Sequence, residues 1–476
     1  MTLLVRAPTT MAADRRYILD VVLSEWLGFD YQLVTEARSD LAIQLRDDPQ
    51  GRELKVADVL FATAPEDWLS DRSMPISPLP RAAADVAGDP DASGNLQSMR
   101  PLPILFGKLD QDGQIWSRSP NEILITVDIF GSAFYLLTRY EEVVIRGSDA
   151  FERFPASASL ALAEGFLDRP LVDEYVDLLW QAMRWLWPGL SRRKTSFHLR
   201  LTHDVDRPWA ALGQNLQSVV HAVSGDLVRR RDPALAARRI RSVLDARSGR
   251  VDRDPFNTFG LLMDTSERYG LQSTFYFMTG ATDPRFDGSY EIGDPHVMRL
   301  LMEVNGRGHE VGLHASYNTF RSPEQMRAEF DSLKATCAQA GFEQDAWGVR
   351  QHYLRFDARE TWRHQAAAGL NHDSTLGFAD ANGFRAGTCR DYPVFDLLEH
   401  TKLALRERSL TVMDITINEY LALDYDEAAA SVQGLVAECR RHNGDAVLLY
   451  HNSSLPGAVQ QAHYRELVES LVHPAR

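Results

Sequence analysis

Cysteine is scarce in this chain. Cys337, Cys389 and Cys439 are far apart, odd in number, and form no C-x-x-C pair. That argues against a disulfide framework and a thiolate zinc site. Positive charge is also in deficit: 51 Lys and Arg stand against 66 Asp and Glu, a formal net charge of -15. A general nucleic-acid binder is therefore not expected. No run of 18 apolar residues occurs, so no transmembrane helix is predicted. Met1 to Arg16 lacks an apolar h-region and a small-residue cleavage site, which predicts a cytoplasmic protein. What is present is ordinary for a globular chain. Hydrophobic residues make up 44% and charged residues 25% of 476 residues, enough for two or three domains.

Residues 1–190 are expected to form a smaller α/β domain. Arg15 to Leu27 has the pattern of an amphipathic helix. Leu41 to Leu45, Val56 to Phe61, Pro103 to Gly107 and Ile123 to Val127 have the pattern of strands. Met74 to Pro103, rich in Pro, Ala, Asp and Gly, is expected to be loop. Phe130, Ala133, Phe134 and Leu137 fall at helical spacing after Asp128, a candidate cap. Leu171 to Leu186 predicts a further helix behind Pro170. Trp180, Trp185 and Trp187 are expected to pack in a core or domain interface. The polar stretch Pro188 to Thr195 marks the boundary.

From Ser196 to the C-terminus, strand-like runs recur with helical stretches between them. They are Phe197 to Thr202, Ser273 to Met278, Glu310 to Leu313, Trp347 to Val349, a short run ending near Asp373, Leu410 to Ile417, and Ala446 to Tyr450. Strands separated by helices pair in parallel through right-handed crossovers. Seven of them suit a distorted (β/α)7 barrel over residues 196–476; an open doubly wound sheet also satisfies the spacing. The connection 207–254 is long, and its second half is basic. Arg229, Arg230, Arg231, Arg238, Arg239, Arg241, Arg247, Arg250 and Arg253 face four aspartates. A solvated helical excursion accounts for it, as does an arm that touches an anionic membrane face.

Metal-competent and acid/base residues collect just after these strands. Leu199 to Thr202 alternates and leads into Asp204 and Asp206. Gly308 to Leu313 leads into His314 and Asn318. Arg350-Gln351-His352-Tyr353, His372-Asp373-Ser374, Asp414 and His451-Asn452 follow later strands. In parallel α/β folds the C-terminal strand ends hold the ligands.

These stretches resemble, in order, the motifs of the polysaccharide deacetylase family, the fourth family of carbohydrate esterases. Thr202-His203-Asp204-Val205-Asp206 is similar to its Thr-Phe-Asp-Asp-Gly motif, and Asp206 matches the Asp-x-Asp form of some relatives. Gly308 to His314 is similar to the strand before its histidine motif. Arg350 to Tyr353 is similar to its Arg-x-Pro-Tyr motif, with His352 in place of proline. Asp373 and Leu449-Tyr450-His451 are similar to its last two motifs, with one residue inserted in the second. The domain 1–190 also resembles one that precedes such barrels in a subgroup of bacterial deacetylase-like proteins.

The resemblance implies a metal-dependent hydrolase that removes an acetyl group from an N-acetylated sugar or glycan, in envelope polysaccharide metabolism. Asp204 is then the general base and His451 the acid. Asp373, with Arg350, tunes that pair, and a backbone N–H near Tyr353 meets the oxyanion. Asp206, His314 and Asn318 hold one divalent metal. The family implies zinc. Asn318 stands where the family has a second histidine, and an amide oxygen suits manganese, cobalt or calcium. Asn318 is expected to reach the metal because i and i+4 share a face on a helix or turn. Water, His309 or His352 are the other candidates to complete the shell. Two rival readings remain: a catalytically inactive carbohydrate-binding barrel, and a hydrolase of another non-peptide C–N bond.

Overall fold

The computed structural model describes residues 2–83, 100–210, 216–229, 231–246, 251–288 and 290–474. Its first sheet grows from short alternating strands. In β1 (Thr2–Ala7), Leu3, Val5 and Ala7 point inward and are fully buried. β2 (Asp30–Thr35), β3 (Asp40–Leu45) and β4 (Glu53–Ala57) follow. β5 (Arg81–Ala82) and β6 (Leu102–Pro103) pair only with each other. β7 (Trp116–Ser119) and β8 (Glu122–Ile125) complete a six-stranded sheet of order β2-β1-β3-β4-β8-β7. The strand expected from Val56 ends instead at Ala57, and Leu60–Ala62 is a 3-10 turn.

Asp128 caps the helix Ile129–Leu137, as its position predicts. One carboxylate oxygen accepts the Gly131 amide at 2.7 Å; the other accepts the amides of Val59 and Leu60 at 2.8 and 2.9 Å. One buried side chain thus ties a helix start to a strand end. Burial, then the charge of Asp58, push its carboxyl up to about 7 against those amides. Leu171–Leu186 forms the expected helix. Trp180 and Trp187 are buried, but Trp185 is 44% exposed, so the packing role holds for two of the three.

The second sheet is a curled half-barrel. It comprises β9 (His198–Val205), β10 (Ser273–Phe277), β11 (Glu310–Ala315), β12 (Gly348–Gln351), β13 (His372–Asp373), β14 (Tyr392–Asp396), β15 (Thr401–Glu407), β16 (Val412–Met413) and β17 (Asp445–Leu449). The order is β14-β15-β13-β12-β11-β10-β9-β17-β16. All its pairings are parallel except β14 with β15. The seven expected strands are therefore joined by two more, and the run from Leu410 shrinks to Val412–Met413. Both additions hide in the sequence for a physical reason. β14 carries Pro393, which is tolerated only at a sheet edge or bulge. β15 is half exposed and charged along its length.

That β14–β15 edge is where the N-terminal segment docks. The Tyr17 hydroxyl donates to the Pro393 carbonyl at 2.8 Å, and the Tyr17 ring lies 4.6 Å from that of Phe395. Asp14 bonds His400 at 2.9 Å. Farther along, Glu142 grips Arg385 with both oxygens, at 2.9 and 2.7 Å. The edge that would invite foreign strand pairing is thereby covered, and one apolar core runs through both sheets.

The long connection contains two helices, Leu216–Val228 and Pro233–Ala246. Arg239 is buried against Asp226 at 2.6 Å, so it is a structural pair and not part of a free basic arm. Arg230, Arg247 and Arg250 lie outside the described residues.

Asp373 and Glu407 are paired residues on β13 and β15 and are fully buried. Asp373 accepts from Gln365, the Thr375 hydroxyl and the Thr375 amide; Glu407 accepts from the Trp362 indole. The better-solvated partner keeps the charge, so the proton resides on Glu407. Burial, then the Asp373 carboxylate, push its carboxyl well above the ordinary range. A folded-state pKa above the unfolded one gives a contribution that is full below the unfolded value. It is lost as pH rises through the folded value. Glu407→Gln can still accept from the Trp362 indole, offers an N–H to Asp373 and carries no charge. Its thermal midpoint is expected to rise relative to the wild type between pH 5 and pH 8, reflecting a stability difference that grows by up to about 1.4 kcal/mol per pH unit. A gap that stays constant with pH would show that the proton is not held there.

Candidate functional site

The C-terminal ends of β9, β11, β12, β16 and β17 converge. Asp204 lies on β9 beside the barrel axis, and Asp206 follows the strand. His314 is on β11, and Arg350 is its paired neighbour on β12. His352 follows β12, Asp414 follows β16 and His451 follows β17. Alternation explains the intervening residues. His203 turns outward, donates from Nδ1 to the Tyr450 carbonyl at 2.9 Å and packs 4.7 Å from Phe275. Burial pushes its imidazole down to about 4, so it is a neutral core histidine.

Asp206 is the hub. One of its oxygens lies 3.0 Å from His314 Nε2 and 3.7 Å from His352 Nε2, and the other lies 3.7 Å from His451 Nε2. Burial opposes its ionisation, but His352, His314 and His451 outweigh it and hold the carboxylate below its usual range. Donor atoms of Asp206, His314 and His352 lie within 4.8 Å of one another. Both histidines are oriented by a bond at the far nitrogen. His314 Nδ1 bonds the Arg350 carbonyl at 2.9 Å, and His352 Nδ1 bonds Asp287 at 2.9 Å. Each arrangement keeps a proton on Nδ1 and turns Nε2 towards Asp206, the nitrogen that a metal would take in place of its proton. Asp287 is itself fixed by the amides of Thr282, Asp283 and Tyr317.

Beside this triad are two proton-handling groups. Asp204 accepts from Arg350 Nη1 at 3.1 Å, and its other oxygen is 3.7 Å from His314 Nε2. His451 bonds Asp414 through Nδ1 at 2.7 Å, and its backbone amide donates to the same carboxylate at 2.8 Å. Burial disfavours the imidazolium, but Asp414 outweighs it and lifts His451 to about 10.

The structure brings Asp204, Asp206, His314, Arg350 and His451 together. It places two others elsewhere. Asn318 is exposed; its Oδ1 accepts from Arg355 at 2.9 Å and its amide donates to Thr282. Asp373 bonds Gln365 and Thr375 on the far side of the sheet, beside Glu407, and bonds neither Arg350 nor His451. Asp414 holds the position expected of Asp373. It was visible at the end of its strand; Asp287, in the loop after β10, carries no motif.

Tyr353 adopts a left-handed φ of 62°, and its carbonyl accepts from Arg153 at 3.2 Å. Arg153 also reaches the Tyr420 hydroxyl at 2.9 Å. Phe151 packs 5.2 Å from Tyr353 and 5.9 Å from Phe286. The N-terminal segment thus walls one side of the cleft. A second group of metal-capable atoms, Glu174, Glu438 and His442, is already committed: Glu174 to Arg169 and His442 to Asp177.

A family model described only as a family of unknown function, DUF7033, matches residues 3–188. No curated protein matches the chain. Among solved structures, the chain is similar to a polysaccharide deacetylase from Bacillus cereus, with 11% identity over 58% of this chain and 88% of that one, at a TM-score of 0.27. It is similar to a protein from Mycobacterium smegmatis provisionally assigned as a polysaccharide deacetylase, with 14% identity over 59% and 86%, at 0.38. A third is a mutant of a CE4-family pseudoenzyme with restored enzymatic activity, with 11% identity over 59% and 63%, at 0.29.

Proposed function

We propose that the half-barrel is a metal-dependent hydrolase that removes an acetyl group from an N-acetylated sugar or glycan intermediate. The observation that carries this reading is the triad Asp206, His314 and His352, with both imidazoles locked to present Nε2. Two imidazoles and one carboxylate fit zinc or a similar divalent ion and leave positions open for water and substrate. With His352 in the set, the argument from Asn318 towards calcium falls away. Such an ion, when bound, would polarise the amide carbonyl and lower the pKa of a water.

The chain's own groups supply the rest. Asp204 would take the proton of the attacking water at the oxygen not held by Arg350. His451 would hold its proton at Nε2, because Asp414 accepts from Nδ1, and would deliver it to the leaving amine. The Tyr353 backbone N–H, presented by the left-handed turn, would donate to the developing oxyanion. The order of these residues along the chain, which resembles the deacetylase motifs, supports the assignment to an N-acetyl group. Exposed Val220, Leu227, Val228 and Ile240 beside exposed Arg229, Arg231 and Arg241 support a peripheral contact with an anionic membrane, where lipid-linked glycans are handled.

The test combines elemental analysis with acetate release from N-acetylated oligosaccharides. Asp204→Asn is expected to keep about one divalent ion per chain and to lose at least about a hundredfold in rate. His314→Ala is expected to lose both ion and activity. Metal retained by His314→Ala would overturn the ligand set. A metal-loaded wild type that releases no acetate from any of a broad substrate panel would overturn the reaction.

A further inference from the structure

The half-barrel has a second mouth, at the N-terminal ends of its strands, remote from Asp206. A cavity of about 350 Å³ opens there. Three guanidinium groups line it, from Arg200, Arg408 and Arg440, with His372 between strands. Part of this charge is already engaged: Arg440 donates to the Leu471 carbonyl at 2.7 Å. Asp445 is shared between His198 and Arg200, at 2.9 and 2.6 Å. Glu310 accepts the Thr274 hydroxyl at 2.8 Å. Asp391 stands 3.9 Å from Arg408 Nε but is bonded to Arg406 at 2.9 Å.

Arg408 is the anomaly. Its Nε is buried without a hydrogen-bond partner. Its Nη1 points at His372 Nε2, 3.3 Å away. A buried cationic donor without an acceptor is costly, and native structures satisfy such groups with water or an ion. The histidine alongside is neutral: burial, then Arg408 and Arg200, disfavour its charged form. The ceiling of the cavity is also built. Thr202 and Ser374 accept hydrogen bonds from Arg350, and the Tyr276 ring lies 4.7 Å beneath that guanidinium. Arg350 therefore closes the cavity off from the acidic hub above it.

We propose that this mouth is an anion site for a phosphate-sized oxyanion, either free phosphate or the phosphoryl group of a small metabolite, held by Arg408 with Arg200 and Arg440. Guanidinium forks match tetrahedral oxyanions and can grip them at two points. The site is independent of the metal triad.

The test is titration calorimetry of the full chain at constant ionic strength, with inorganic phosphate and, separately, glucose 1-phosphate, against sodium chloride. One saturable site per chain is expected. Arg408→Gln should weaken it at least about tenfold, the usual effect of losing a charged hydrogen bond, and His314→Ala should leave it unchanged. Binding of phosphate alone identifies a free ion; binding of both identifies a phosphoryl group. Arg440→Gln, at a partly exposed position, should weaken binding severalfold and serves if Arg408→Gln fails to fold. Heats equal to those of chloride, or binding unaltered in the arginine variants, would overturn the proposal.

Discussion

His352→Ala is expected to reduce divalent metal affinity by more than about a hundredfold, whereas Asn318→Ala leaves it unchanged. The two residues compete for one role, and geometry separates them. His352 Nε2 faces Asp206, and its ring lies 5.0 Å from that of His314, nearly perpendicular to it. Asn318 has its carbonyl oxygen on Arg355 and its side chain in solvent. Asp287 supplies an internal scale. It fixes the His352 tautomer from outside, and loss of such an outer partner costs roughly ten- to hundredfold. Asp287→Asn should therefore fall between the other two variants. The ordering His352→Ala, then Asp287→Asn, then Asn318→Ala, read from zinc competition with a chromophoric chelator, is the prediction. Equal loss in His352→Ala and Asn318→Ala would return the amide to the metal shell.

Asn318 leaves the cleft for a local reason. An i, i+4 pair shares a face only in helical geometry, but β11 runs to Ala315 and the next regular element is the 3-10 turn Thr319–Arg321. In a strand that turns away, four residues carry the side chain out of the cleft. The residues that the fold brings together, Asp204, His314, Arg350 and His451, stand on or immediately after regular parallel strands. There the period of two and the common C-terminal edge fix direction. Asp373 sits at a strand end too, but on the face towards the helix Thr361–Ala368, where Gln365 meets it. Strand-end position alone does not distinguish the two faces of a two-residue strand. Asp287 and Arg153 lie in loops and reach the site only through tertiary packing, so no periodicity marks them. The docking of the N-terminal segment was equally hidden, because its partner is the proline-bearing edge strand β14.

The largest stability effect is expected from Arg350→Met. Arg350 is fully buried, and its fork is entirely engaged. Nε donates to the Ser374 carbonyl at 2.9 Å, Nη2 to the Ser374 hydroxyl at 2.8 Å, and Nη1 to Thr202 and Asp204 at 2.9 and 3.1 Å. Methionine fills much of the same volume but leaves Asp204, 4% exposed, as a buried carboxylate without its cation. Breaking one side of a buried pair costs about 3–5 kcal/mol, mostly through the charge left behind. Adding Asp204→Asn removes that charge, so the double variant should recover at least about 1 kcal/mol of the loss, a coupling typical of contacting groups. Because two packed sheets need not unfold together, the ordering of urea midpoints carries the test, not a fitted free energy. The expected order is wild type, then the double variant, then Arg350→Met. A double variant less stable than Arg350→Met would mean that Arg350 acts through Thr202 and Ser374 and not as the counter-ion of Asp204. The base would then owe its position to the strand alone.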